Sequence, residues 1–439
     1  MKRIPAGAAF LVLALALTAL PAARPPETPL EKKVRALTDK LTPGLIDIRR
    51  DIHAHPELGM QETRTSALVA DYFRKLGLEV RTGIAKTGVL GILKGGKPGP
   101  VVAFRGDMDG LPLTEETDLP FASKDRTTLD GRDVGVMHAC GHDIHTTMLL
   151  GVAAVLSAVK SELPGTVLFV AQPAEECCDG ARQMIADGLF KDNVPEAVFA
   201  YHVDDTLKAG KLGYVTGFMS ANVDGFDLEI KSDGCHGANP DLCVDPIVVG
   251  AQVVVALQVM VSREIGVHDN TVVTVGSFHA GSAPNIIPRS AKLEATVRNY
   301  GEAQRQVLRD KITRLISNIC GAAGADFGLD YSFGTASVYN DPALTAEALA
   351  TAERVLGGKR ELVEHKPEMG GEDFSAFGGV APAVMFYLGV IPPDRDTTAV
   401  HSPTFVADEA AIPIGVNLMA NIILDHQTKR GKAPKRPGS

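Results

Sequence analysis

Apolar residues recur at three- and four-residue intervals from Pro29 to Leu76, with Leu30, Val34, Leu37, Leu41, Leu45, Ile48 and Ile52 forming one stripe. That spacing predicts helix, interrupted at His53-Ala54-His55-Pro56-Glu57. Beyond it the period changes. Gly88 to Leu93, Val101 to Phe104, Thr166 to Ala171 and Ala197 to Val203 read as short strands. Helical patterns lie among them, clearest from Ile144 to Val159 and from Ala181 to Gly188. Strands and helices taking turns predict an α/β domain whose mixed, mostly parallel sheet is covered by helices.

The texture changes near Thr216. Phe226 to Ile230 alternates with period two. Pro246 to Val261 is a long helix, Thr271 to His279 and Ala291 to Asn299 are strands, and Glu302 to Ile316 is a helix. This is the βαββαβ order of a compact α+β, ferredoxin-like unit. After Tyr331 the α/β texture returns, with a helix from Pro342 to Leu356, a buried strand from Val384 to Leu388 and a last helix from Ile412 to Leu424. The expected organisation is therefore an α/β domain in two parts, 24–216 and 332–426, interrupted by a smaller domain at 217–331.

The chain is 439 residues long, 45% hydrophobic and 22% charged, with a net charge of -9. An acidic balance argues against a nucleic-acid partner, which selects a basic face. The basic stretch 427–439 reads as a solvated, disordered tail. Residues 1–23 read as a signal peptide: Lys2 and Arg3 precede an apolar run from Ala8 to Leu20, and Pro21-Ala22-Ala23 supplies small residues for cleavage. The run is shorter than the ~20 residues of a membrane-spanning helix. Export to the periplasm or medium, with no membrane partner, is the expectation.

Candidate chemistry gathers at strand ends, where α/β sheets collect their ligands. Cys140-Gly141-His142-Asp143 places a thiol and an imidazole two positions apart. Asp107 and Asp109 follow the Val101–Phe104 strand, on one side by alternation. Glu175-Glu176 follows Thr166–Ala171, and His202 follows Ala197–Ala200; His401 lies near the end of the chain. Carboxylates, imidazoles and a thiol in this arrangement describe a metal centre suited to hydrolysis. Neighbouring side chains in extended backbone point apart, so one glutamate can hold a cation while the other takes a proton from water.

Eight stretches then stand together: RRDIHAHPELGMQE, RGDMDGLPLTEE, GVMHACGHDIHTTML, PAEE, HGANP, PNIIP, MGGEDFSAF and HSPTF, spanning Arg49 to Phe405. In this set and order the chain resembles the aminoacylase/carboxypeptidase family of dinuclear metallohydrolases, in its hippurate hydrolase and auxin-conjugate hydrolase branch. The resemblance implies two divalent cations per subunit, with Cys140 shared between them. His142 and His202 would complete one site, and Glu176 and His401 the other. Glu175 would be the general acid/base and Asp109 would orient an imidazole ligand. The inserted domain would act as lid and dimerisation unit, giving a homodimer. Within it His236 would stabilise the oxyanion, from the same or the partner subunit, and Asn285 and Arg298 would grip the substrate carboxylate. The implied reaction is hydrolysis of an N-acyl amino acid, a small-molecule substrate. The alternatives are a dipeptidase or carboxypeptidase on the same centre, and a non-catalytic binding protein. A thiolate ligand favours zinc, with manganese or cobalt as alternatives.

The chain departs from that branch at Cys177-Cys178-Asp179, where glycines are usual, and at Asp241, where a histidine is common. Space filling ranks first for the two thiols, ahead of a redox or metal role, although they or Cys235 and Cys243 could pair. His138 and His145 are expected to orient the ligands, and His53 and His55 to pack in a loop. Glu372 and Asp373 are expected at a helix start.

Overall fold

The computed structural model describes residues 27–431; the expected signal peptide and residues 432–439 lie outside that range. Nine helices are described: α1 (Pro29–Ala54), α2 (Thr63–Lys75), α3 (His142–Ala158), α4 (Gly180–Ala186), α5 (Pro246–Glu264), α6 (Glu302–Ala323), α7 (Pro342–Leu356), α8 (Ser375–Gly378) and α9 (Ala411–Gly431). An eight-stranded sheet runs in the order β1 (Glu79–Ile84), β2 (Gly88–Lys94), β6 (Pro164–Gln172), β3 (Lys97–Asp107), β7 (Ala197–Lys208), β18 (Ala383–Ile391), β8 (Leu212–Tyr214) and β17 (Leu362–Glu364). The four middle strands, β6, β3, β7 and β18, are mutually parallel, while β1, β2 and β8 supply antiparallel pairings. Parallel strands buried on both faces need continuous apolar runs, and Val167–Ala171, Ala197–Tyr201 and Ala383–Phe386 supply them.

The best-covered helix, α3, is buried on nearly every side, including Ile144, Met148, Val152 and Val155. Gly151 lets α9 approach: a Cβ there would lie 2.5 Å from a Val416 methyl. A single core links α1, α3 and α9 to one sheet face, and a second packs α4 and α8 against the other. Thr28 and Glu31 start α1 with a reciprocal capping box.

A separate antiparallel sheet runs β12 (Val272–Ala280), β14 (Ser290–Asn299), β10 (Asn222–Lys231), β15 (Asp326–Phe333), with α5 and α6 sharing its core. This is the ferredoxin-like βαββαβ arrangement, and its last strand runs two residues past Tyr331. On length and composition α5 could cross a membrane, but Val249, Val253, Leu257 and Met260 are buried in this core. Its other face leaves Val248, Val255 and Val259 more than half exposed. Three two-stranded ribbons complete the strands: β4 (Arg126–Leu129) with β5 (Arg132–Gly135), β9 (Gly217–Phe218) with β16 (Tyr339–Asn340), and β11 (Cys235–His236) with β13 (Ile286–Ile287).

The disordered tail expected from Gln427 does not begin there. Helix α9 continues to Gly431, and Gln427 is fully buried, donating to the carbonyls of Pro100 and Thr166. Those carbonyls lie where β3 and β6 begin, so the side chain satisfies backbone acceptors that water cannot reach.

Candidate metal centre

The parallel register carries the site. Asp107 at the end of β3 pairs with Gln172 at the end of β6, and His202 on β7 pairs with Tyr387 on β18. Cys140 lies in the turn before α3. Gly141 follows with φ 75°, where a Cβ would lie 2.8 Å from the Val203 methyls, so glycine alone suits this link. His142 then opens the helix. His401 also adopts a left-handed conformation, φ 58°, held by its N–H bond to Ala139 O at 2.7 Å. A non-glycine residue in that region is uncommon and tends to mark functional sites.

Five expected donors meet. Cys140 Sγ lies 3.3 Å from His202 Nε2 and 3.3 Å from His401 Nε2. Glu176 Oε1 lies 3.0 Å from His401 Nε2 and 4.0 Å from His142 Nε2. Two three-donor groups result, Cys140–His142–His202 and Cys140–Glu176–His401, each with its ligand atoms within 4.8 Å of one another and sharing the thiol. Both ring nitrogens of His142 and Glu176 Oε1 are buried without a well-formed hydrogen bond. A buried polar atom in that state costs about 1–3 kcal/mol, a cost relieved where an ion supplies the missing partner. Thiol, imidazole and carboxylate together suit divalent transition metals. The residues fit such ions.

Electrostatics point the same way. Burial opposes a charged His142, yet Asp107 and Asp109 outweigh it and push the imidazole up to about 10. Burial, then Glu176 and Glu175, drives the Cys140 thiol well above its ordinary range, so the thiolate needs a nearby cation. Burial, then Glu372, Asp373 and Glu176, likewise lifts Glu175 well above the usual carboxylate range.

Around the donors lies a shell of buried carboxylates. Asp109 Oδ1 is 3.3 Å from His142 Nδ1, and its two oxygens accept the amide N–H groups of Glu175 and Glu176 at 3.1 and 3.0 Å. Asp107 Oδ1 is 2.6 Å from His145 Nδ1, while His145 Nε2 accepts the Val203 N–H at 2.8 Å. The latter bond assigns the ring proton to Nδ1. Burial would raise Asp107, but Arg105, with His142 and His145, holds it well below the usual range. Arg105 is wholly buried and contacts Asp107 at 2.6 Å, Glu372 at 2.9 Å, Asp373 at 3.3 Å and Gln172 at 2.8 Å.

A cavity of about 480 Å³ opens onto this cluster, lined by Cys140, Glu175, Glu176, His202, Arg298 and His401 among others. His236 and Asn285 are not there. They line a second cavity, about 860 Å³, that shares no residue with the first. Strand register explains the separation: Arg298 pairs with Val223 at one end of β10, whereas His236 follows Lys231 and Asn285 precedes Ser290 at the other. Eight residues at roughly 3.4 Å each separate those ends by about 27 Å. Within one chain Arg298 alone joins the centre.

Three expectations need correction and a fourth is extended. His53 is no loop residue: it sits in the last turn of α1, fully buried, 2.8 Å from Asp143 and 3.2 Å from Glu115. Glu372 does stand at a helix start, accepting the Phe374 N–H at 2.8 Å just before α8, and Asp373 accepts the Ala181 N–H at 3.0 Å in the first turn of α4; both acids also meet Arg105, and Asp373 meets Gln172. Cys177 and Cys178 are exposed and joined as a disulfide, as are Cys235 and Cys243, so the first pair does not simply fill space. His138 is buried with neither ring nitrogen hydrogen-bonded, so no bond ties it to a donor. Arg105, within RGDMD, and Glu62, within GMQE, went unnoticed. Their positions, just before α2 for Glu62 and near the end of β3 for Arg105, were the only signal, because periodicity does not announce a buried charge.

Known proteins share this arrangement of chain. The sequence is 36% identical over 379 residues to an N-acetylcysteine deacetylase of Bacillus subtilis, covering 86% of this chain and 95% of that one. It is 36% identical over 391 residues to thermostable carboxypeptidase 1 of Saccharolobus solfataricus, covering 88% and 95%. The solved structure of a dinuclear metal-binding peptidase of the M20 family from Bacillus subtilis superposes with a TM-score of 0.77 at 33% identity, covering 89% of this chain and 99% of that one. Residues 103–425 match the model of peptidase family M20/M25/M40. With that match across the candidate centre, the chain belongs to peptidase family M20/M25/M40 and is a hydrolase of amide or peptide bonds.

Proposed function

We propose that this hydrolase cleaves the amide bond of N-acyl amino acids, as in the hippurate and auxin-conjugate branch, with Glu175 as its general base. The observation that carries the reading is the convergence of Cys140, His142, Glu176, His202 and His401 around one shared thiol beside Glu175. Cys140, His142 and His202 would hold one divalent cation, and Cys140, Glu176 and His401 the other. Zinc fits the thiolate best, with manganese or cobalt as alternatives. When bound, the cations polarise the scissile carbonyl and acidify water.

Glu175 lines the cavity beside the donors, and its raised affinity for protons suits it to accept one from water and pass it to the leaving nitrogen. Asp109 fixes the backbone of both glutamates and lies 3.3 Å from the His142 ring, so one carboxylate stands behind both the proton acceptor and the ligands. Arg298 offers its guanidinium to the substrate carboxylate, which it can bind through two nitrogens. His236 and Asn285 act on the cavity of the other copy in a homodimer built on the inserted unit, whose exposed Val248, Val255 and Val259 supply an apolar face. We assign the chain to the periplasm or medium on residues 1–23.

The test is hydrolysis of a panel of acylated amino acids with zinc, manganese or cobalt added. Glu175→Ala should abolish turnover while leaving metal content intact; retained turnover rejects the base assignment. The carboxypeptidase relative keeps a second reading alive, and better kcat/KM on dipeptides than on acyl-amino acids would select it.

A further inference from the structure

Glu62 is a glutamate with no exposed surface, at the residue before α2. Its carboxylate makes no ion pair with Lys or Arg among the described residues. One oxygen accepts the Ala174 N–H at 2.8 Å, and the other accepts the Thr87 hydroxyl at 2.6 Å. The next two amides, Glu175 and Glu176, are the ones held by Asp109. Three consecutive N–H groups, ending on the candidate base and the candidate ligand, thus rest on two buried carboxylates from separate loops.

Ala174 needs such a hold. Its φ is 55°, a left-handed conformation that its Cβ disfavours, and neighbouring Gly180 approaches so closely that a Cβ there would meet Pro173 O at 1.7 Å. A loop wound this tightly keeps its shape only where its surroundings dictate it. A backbone carbonyl could have accepted a single amide. A buried carboxylate without a cation is a costly substitute unless it must reach a position that backbone cannot.

We propose that Glu62 is a positioning residue for the Glu175–Glu176 pair, fixing their loop through the Ala174 amide. This rests on the roles proposed above for those two glutamates, and nothing about Glu62 requires it to touch substrate. Thr87, in the turn between β1 and β2, anchors the far oxygen and so ties the edge of the sheet to the site loop.

The experiment measures two things on full-length protein: steady-state kinetics with metal loaded, and amide hydrogen exchange of 172–180 with metal removed. In Glu62→Ala, exchange at Ala174, Glu175 and Glu176 should rise about tenfold or more, the loss expected for one hydrogen bond. At temperatures where it stays folded, kcat should fall on the order of 100-fold with KM within about threefold, as for a misplaced catalytic group. Glu62→Gln keeps an acceptor for the amide and a partner for Thr87, so it should recover most of both. Should Glu62→Ala fail to fold, Thr87→Val reports instead through faster exchange at the same three amides. Unchanged exchange at 174–176 in the variant that folds overturns the proposal, as does Glu62→Gln behaving like Glu62→Ala. An inactive wild type with normal exchange results would instead reject the proposed reaction and leave the positioning role standing.

Discussion

Replacing Arg105 by Met gives the sharpest test of how this site is built. The side chain is fully buried, and its guanidinium meets Asp107 at 2.6 Å, Glu372 at 2.9 Å and Asp373 at 3.3 Å, with Gln172 at 2.8 Å on the fourth side. Met preserves most of the volume, so a cavity contributes little. What is lost is the cation among carboxylates. Two close charge-assisted contacts at about 1.5–3 kcal/mol each, and the general cost of stripping one partner from a buried pair, agree on about 3–5 kcal/mol. The pH dependence has a definite sign. Asp107 is held well below its ordinary value, so its contribution is present above about pH 4 and lost as pH falls through the lowered folded value. Without Arg105, burial is opposed only by His142 and His145, so that carboxyl moves upward and protonation in acid relieves part of the strain. The deficit of the variant should therefore be largest near pH 7.5 and shrink toward pH 4.5. The chain has no tryptophan, so urea unfolding of metal-stripped protein is best followed by far-ultraviolet circular dichroism. A deficit under about 1 kcal/mol at pH 7.5, or one equal at both pH values, refutes the reasoning.

Other outcomes follow from the same geometry. Cys140→Ala removes the donor common to both groups and should leave less than one equivalent of metal by elemental analysis. Val255→Asp with Val259→Asp, on residues 64% and 53% exposed, should convert the proposed dimer to a folded monomer in sedimentation; an unchanged mass removes that face from the proposed interface. Gly180→Ala forces a Cβ to within 1.7 Å of Pro173 O and should cost about 1–3 kcal/mol in stability along with activity. Near-normal activity there would show that the loop tolerates remodelling.

The order of strands and helices was readable because buried parallel strands need unbroken apolar runs, which β6 and β7 have, while α7 repeats its buried residues at helical spacing. The donors around Cys140 were readable through the motifs that carry the family resemblance; of them only Glu176 follows closely on a strand end, after β6. Their shell was not. Nothing in RGDMD says that Arg105 turns inward to three carboxylates lying hundreds of positions along the chain or two residues away. A histidine at the end of a helix looks like a loop residue until Asp143 and Glu115 close on it. Asn285 and Arg298 look like partners in a list of motifs, yet a ten-residue strand holds them apart. Long-range pairing of charge, unlike periodicity, leaves no local trace.

Strand β18 lies between β7 and β8, although the whole ferredoxin-like unit and α7 are synthesised after those strands and before it. A growing chain therefore carries a gap in the middle of its largest sheet until the ribosome has almost finished. Until then β7 presents an open hydrogen-bonding edge, the kind that invites pairing with the wrong strand. Such late closure makes for slow maturation, because the central pairing waits on contacts distant in sequence.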